Sequence, residues 1–305
     1  MGKIAFMFSG QGAQHPGMGK EFYDNNANVK ALYDFAESFR EGTLAQSFDS
    51  DMATITLTQN AQPCLYLADL AAAVALRDEG ITPDALAGFS LGEIPALAFG
   101  GVFSYEDGFK ITCTRGVAMG KASSKADTGM VAVVRSDNET VEKLCEKYEH
   151  VYPVNYNCAN QLVVAGLKEE LAPFSDDVKA AKAKAVPLAV SGAFHSPFMD
   201  EAAQELGEFV KDIPFNEPTT PVYSNFTTQP YGGDMKYLIQ NQVNHPVKWE
   251  MIVKNLIAEG VDTFIEVGVG STLQKLVQKI SKDVSAYKVE SLEDIAKVKE
   301  ALQNA

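Results

Sequence analysis

Gly88-Phe89-Ser90-Leu91-Gly92-Glu93 ends one apolar run, Leu86 to Phe89, and opens another, Ile94 to Phe99. The first reads as the end of a strand and the second as the start of a helix. A serine in a G-x-S-x-G at such a junction stands on a tight turn with its hydroxyl exposed. The flanking glycines let neighbouring backbone approach, and the helix N-terminus brings free N–H groups beside it. The motif predicts covalent acyl transfer through Ser90. A glycine-rich turn with a serine helix cap fits the same six residues, so the rest of the chain has to separate the two.

Working outward, strand and helix patterns alternate. Ile4 to Phe8 reads as a strand running into the turn Ser9-Gly10-Gln11-Gly12, and Val29 to Phe39 as helical. Ala61 to Glu79 is alanine- and leucine-rich over a length that suits a buried helix packed on a sheet. Tyr105 to Lys121 reads as a further helix, with Ser104 as its N-cap and Asp107 three positions on. Near Asp127 the texture changes. Strand-like Met130–Val134, Gln161–Ala165 and Ala185–Val190 alternate with helical Glu139–Tyr148 and Glu169–Ala181, which predicts a small α+β insert over 127–193. The main domain, 1–126 and 194–305, then resumes with strands at Pro221–Ser224 and Thr263–Val267 and a helix at Ser271–Ile280.

Bulk properties narrow the function. The 305 residues are 46% hydrophobic and 22% charged, ordinary values for a globular chain. No apolar run reaches the roughly 20 residues that cross a bilayer. The apolar segment after Lys3 is too short for a signal peptide. Four scattered cysteines without a C-x-x-C pair read as free thiols, so the expected compartment is the cytoplasm. A net charge of −14 argues against nucleic acid as a partner. Two lysine groups stand out against it, Lys179, Lys182 and Lys184, and Lys121 with Lys125. Either is solvated helix surface or a landing patch for an acidic protein.

A nucleophilic serine needs a base within hydrogen-bond reach. Of the four histidines, His15 lies in a Gly/Pro loop, His150 ends a charged helix and His245 precedes a proline. His195 follows a strand, where a sheet-based site collects its groups, and is the expected base. The order of serine and histidine, with strands and a helix still to follow, disfavours a plain α/β-hydrolase esterase, whose histidine comes late. Arg115 shares a helix face with Ile111 and Met119. A guanidinium there is costly unless it meets an anion. It fits either a structural ion pair or a clamp on a substrate carboxylate, which would make the acyl group a dicarboxylic one.

Taken together these motifs resemble the malonyl-CoA:acyl-carrier-protein transacylases of type II fatty-acid synthesis from end to end. The carriers are Phe8-Ser9-Gly10-Gln11-Gly12-Ala13-Gln14, the Ser90 elbow, Arg115, Asn155-Tyr156-Asn157 with Gln161-Leu162-Val163-Val164-Ala165-Gly166, Ala193-Phe194-His195-Ser196, Gln242 to Trp249, and Phe264-Ile265-Glu266-Val267-Gly268. The resemblance implies an α/β-hydrolase-like large subdomain with a parallel sheet core, an inserted ferredoxin-like subdomain, and a site in the cleft between them. It implies Ser90 as nucleophile, His195 as general base and acid, and Gln242 beside His195, whose ring a main-chain carbonyl orients. Gln11 and Leu91 would give backbone N–H groups to the oxyanion. Arg115 and Asn157 would bind substrate, and Phe194 would leave little room for an α-methyl branch. The expected substrate is a CoA thioester, malonyl-CoA, and the expected partner an acidic acyl carrier protein met by Lys179, Lys182 and Lys184. No metal or bound cofactor is expected, and the chain is expected to be a monomer. One position departs from the pattern: Phe89 stands where the family usually has histidine, which bears on the polarity of the acyl pocket. A polyketide-synthase acyltransferase shares the chemistry with another carrier, and a serine thioesterase would send the acyl group to water.

Overall fold

A computed structural model describes residues 2–190 and 192–304. The chain begins with β1 (Lys3–Phe8), passes through short helices and the long helix Thr58–Asp78, and reaches β2 (Ala85–Gly88). After the helix Tyr105–Ser123 it leaves for a second sheet of β3 (Thr128–Val134), β4 (Val151–Cys158), β5 (Gln161–Leu167) and β6 (Lys184–Pro187). It then returns with β7 (Val222–Tyr223), β8 (Val261–Val267) and β9 (Ser285–Val289).

The first sheet is parallel throughout, ordered β7-β2-β1-β8-β9. Helices cover both of its faces, so its central strands are nearly continuous apolar runs, and only the first residue of β1 is exposed. Thr58–Asp78 is buried almost all round, as a helix must be when it packs between a sheet and other helices. Ser104 caps Tyr105–Ser123 by accepting the Asp107 N–H at 3.0 Å, as its sequence predicts.

The second sheet is antiparallel, ordered β4-β5-β3-β6. With the helices Asn138–Cys145 and Lys168–Ala180 it makes the β-α-β-β-α-β arrangement of ferredoxin-like folds. This corrects the sequence expectation of three strands. β4 is a fourth, hidden in the sequence because Pro153, Asn155 and Asn157 read as loop. Its pairing with β5 shifts register at Pro153/Asn155 and again at Tyr156/Cys158, so the strand tolerates residues that a regular one disfavours. β6 is shorter than expected and ends at Pro187.

The strand order of the parallel sheet switches at β1: β2 lies to one side and β8 to the other. A crevice opens at the carboxyl ends of strands at such a point. The loops after β1, β2 and β8 all reach it, and β4 closes it from the second sheet. There the Val247 N–H donates to Val154 O at 2.8 Å, and the Tyr156 N–H donates to Val247 O at 2.9 Å.

Candidate active site

Ser90 stands on a single 3-10 turn between β2 and the helix Glu93–Phe99, with φ +53°. A side chain rarely adopts that backbone without a reason. The reason lies in the glycines. A Cβ on Gly88 would come within 2.0 Å of Gly92 backbone atoms, and one on Gly92 within 2.2 Å of Phe8 O. Three backbone segments therefore touch beneath the turn, and the hydroxyl is driven up into the crevice. Ser90 thus stands at a strand-to-helix turn, as its sequence predicts.

His195 meets it from the segment that follows the second sheet. Its Nε2 is 2.6 Å from Ser90 Oγ, and its Nδ1 faces two main-chain carbonyls, Gln242 O at 3.0 Å and His245 O at 3.2 Å. With Nδ1–H donating to those carbonyls, Nε2 is left as the acceptor for the serine proton. His195 is itself in the left-handed region, φ +61°, and is 3% exposed. Burial and the nearby Arg115 charge press its pKa down to about 3, so the ring is neutral and its Nε2 lone pair is free to face the serine proton.

Arg115 lies beneath both. Its Nη2 donates to Ser90 Oγ at 3.1 Å and to Gln242 Oε1 at 2.9 Å, and its Nη1 donates to Gln62 Oε1 at 2.8 Å. The side chain is 1% exposed, and Nε has no partner. Burial lowers its pKa to about 10, which still leaves it charged at neutral pH. Among the described residues no carboxylate comes within 4.0 Å of the guanidinium, so the structural ion pair that the sequence also allowed is not what holds it.

Sequence reading missed the residue that ties this floor together. Asn225 accepts the Ser90 N–H on Oδ1 at 2.7 Å and donates from Nδ2 to Gly88 O at 2.6 Å, fixing both ends of the elbow. Its own N–H donates to Glu93 Oε2 at 2.6 Å, and the Tyr231 hydroxyl donates to Glu93 Oε1. Burial raises Glu93 to about 7, with Tyr231, Asn225 and Arg115 pulling it back down. The Gln242 side chain donates to Ser90 O at 2.5 Å. The only sequence signal for Asn225 is a polar residue just past β7, at the same sheet end as Ser90.

The remaining predicted residues lie around this floor. Gln11, Phe89 and Asn157, with Asn155 and Glu266, line a cleft of about 240 Å³. The Oδ1 atoms of Asn155 and Asn157 and Oε1 of Glu266 are buried without partners. Leu91 is buried on the elbow turn, and Phe194 is buried in the main core beside His195. Phe89 leans on Trp249, ring centroids 5.7 Å apart, so the residue that departs from the family pattern presents an apolar wall to the cleft. Lys179, Lys182 and Lys184 are all exposed, with Lys179 paired to Asp176. Lys121 and Lys125 instead pair with Glu205 and Glu201 of the chain's own helix Asp200–Val210.

Comparison with known proteins finds relatives along nearly the whole chain. Residues 5–300 match the acyl transferase domain model. A malonyl CoA-acyl carrier protein transacylase of Bacillus subtilis is 37% identical over 97% of this chain and 96% of its own length. A polyketide-biosynthesis malonyl CoA-acyl carrier protein transacylase of the same organism is 35% identical over 93% of this chain and 99% of its own. The crystal structure of a malonyl CoA-acyl carrier protein transacylase from Clostridium perfringens superposes with a TM-score of 0.95 at 33% identity, covering 99% of this chain and 98% of that one.

Proposed function

The chain belongs to the acyl transferase family, and we infer that it moves a malonyl group from malonyl-CoA to the phosphopantetheine thiol of an acyl carrier protein through an ester on Ser90. The observation that carries this reading is Arg115, a buried guanidinium in contact with the nucleophile and without a carboxylate of the protein to pair with. Glu93 acts on it through space without a direct ion pair, and an acyl group that brings its own carboxylate supplies the direct partner that acetyl lacks.

His195 Nε2 takes the Ser90 proton as Oγ attacks the thioester carbonyl. The developing oxyanion turns toward the backbone N–H groups of Gln11 and Leu91, each such donor being worth about 3 kcal/mol. The C–S bond breaks, and His195 returns its proton to the departing CoA thiol. The carrier's thiol then enters, and His195 takes its proton as the sulfur attacks the ester carbonyl. The new C–S bond stays, the ester C–O bond breaks, and His195 returns the proton to Ser90 Oγ. Every step is a proton transfer or an acyl exchange, so the reaction as written draws on no metal or redox group. Asn157 and Asn155 face the cleft through which either thioester would enter, and Phe194 narrows the acyl end against branched groups.

Lys182 and Lys184 are the proposed contacts for an acidic carrier, with Lys179 at their edge. β6 is the edge strand of its sheet, and Leu188, just beyond it, lines the cleft, so a carrier held there has its arm beside the opening. Among the described residues no helix is long and apolar enough to cross a membrane, and the four cysteines are free, which supports a place in the cytoplasm. A second reading keeps the chemistry and changes the carrier: the polyketide-biosynthesis relative, at 35% identity, is nearly as similar as the other transacylase of that organism, at 37%.

Intact-protein mass measurement after mixing with malonyl-CoA tests the assignment. The expected result is one malonyl adduct, absent in Ser90→Ala and discharged onto added carrier protein. An adduct that persists in Ser90→Ala, or label released as free malonate instead of moving to the carrier, overturns it. Discharge onto fatty-acid and polyketide carriers in parallel decides between the two destinations.

A further inference from the structure

Thr58 is the first residue of the long buried helix and is 2% exposed. Its hydroxyl donates to Gln11 Oε1 at 2.9 Å and accepts from Gln62 Nε2, one turn along, at 2.9 Å. Gln62 Oε1 in turn accepts from Arg115 Nη1 at 2.8 Å. These bonds form one unbroken chain from the carboxylate clamp to the side chain of a proposed oxyanion residue.

The direction of every link is fixed. A guanidinium can only donate, so Gln62 must turn its oxygen to Arg115 and its NH₂ to Thr58. The hydroxyl has one proton, and with Gln62 donating to it that proton goes to Gln11. The helices meet closely enough to force this contact: a Cβ on Gly116, next to Arg115, would be 3.1 Å from Gln59 Cα. A chain of aligned bonds in a buried setting polarises along its length.

We infer that Thr58 is a positioning residue that ties the clamp to the oxyanion loop, so that occupation of Arg115 by a carboxylate sharpens the placement of Gln11. This rests on the malonyl-transfer reading above. Selectivity for malonyl is then expressed in the rate of acylation as well as in binding. An acyl group that leaves Arg115 bonded to Ser90 Oγ sends no such signal.

The test compares Thr58→Val, which keeps the shape and removes the hydroxyl, with Thr58→Ser, which keeps the hydroxyl. Single-turnover acylation is measured with malonyl-CoA and with acetyl-CoA, alongside the melting temperature. Thr58→Val is expected to lower the malonyl-to-acetyl rate ratio about tenfold, because it leaves Gln62 Nε2 only its weak bond to Met119 Sδ and cuts the link to Gln11 Oε1. Thr58→Ser is expected to restore it. An unchanged ratio in Thr58→Val, or a lowered ratio that Thr58→Ser does not restore, overturns the inference. If Thr58→Val melts early, the smaller Thr58→Ala makes the same comparison. Wild-type protein that takes no malonyl at all fails the functional reading itself, whereas a malonylated wild type with an insensitive Thr58 fails only this coupling.

Discussion

The floor of the site and the wall of the cleft are built on opposite plans. On the floor, Ser90, Asn225, Gln242, Gln62 and Arg115 bond to one another at 2.5–3.1 Å, with Arg115 Nε alone among them left over. On the wall, Asn155, Asn157 and Glu266 are buried with oxygen atoms that meet nothing. A buried polar atom without a partner costs roughly 1–3 kcal/mol. The floor is organised for chemistry before a substrate arrives, while the wall holds polar groups that a passing chain of amides could satisfy. We propose that stability sits in the first and affinity in the second.

Substitutions can break that contrast. Arg115→Ala should have the largest effect, lowering malonyl transfer by roughly 10²-fold or more and acetyl transfer by much less. Steady-state rates with both thioesters check it, and equal losses would make Arg115 a structural residue only. Asn225→Ala should follow. It strands the Ser90 N–H and the Gly88 carbonyl, so kcat should fall roughly tenfold to 100-fold with a melting temperature several degrees lower. Unchanged melting would show that the floor does not depend on this brace.

Asn157→Ala should behave in the opposite way. KM for the thioester should rise several-fold with kcat preserved and melting held, since the folded protein loses no bond to Asn157 Oδ1. A drop in melting temperature like that of Asn225→Ala would erase the distinction between floor and wall. Reversing the charge of Lys182 and Lys184 should raise KM for carrier protein a few-fold and leave acylation by malonyl-CoA untouched. Smallest of all is the expected response to acid. His195 has its pKa pressed far below 6.5, so kcat/KM should show no acid limb at the ordinary histidine value. The neutral base persists as pH falls through that range. A limb centred near 6.5 would mean that the free enzyme exposes His195 to water.

The same contrast sorts what the sequence made legible. The elbow was readable because its glycines and serine are dictated by a local collision of backbones, which leaves a fixed spacing. Arg115 was readable as a cation on an apolar helix face, although not what it would touch. Asn225, Thr58 and Glu93 were silent. Each acts through a partner far away in the chain, and a lone Asn, Thr or Glu beside an element end has many ordinary explanations. β4 was silent for a different reason: its proline and asparagines mark register shifts that only a paired strand reveals. The histidine's orienting group leaves no side-chain signal of its own because it is main chain.

That last feature changes what mutation can do to this enzyme. Where a carboxylate aims the histidine, one codon change removes the aim. Here the aim belongs to the peptide groups of residues 242 and 245. The latter is held two residues from the Val247 seam with β4. No side-chain replacement deletes a carbonyl, so the alignment of the base is shielded from most point substitutions and yields chiefly to changes that shift the backbone, such as an insertion or a proline in that seam.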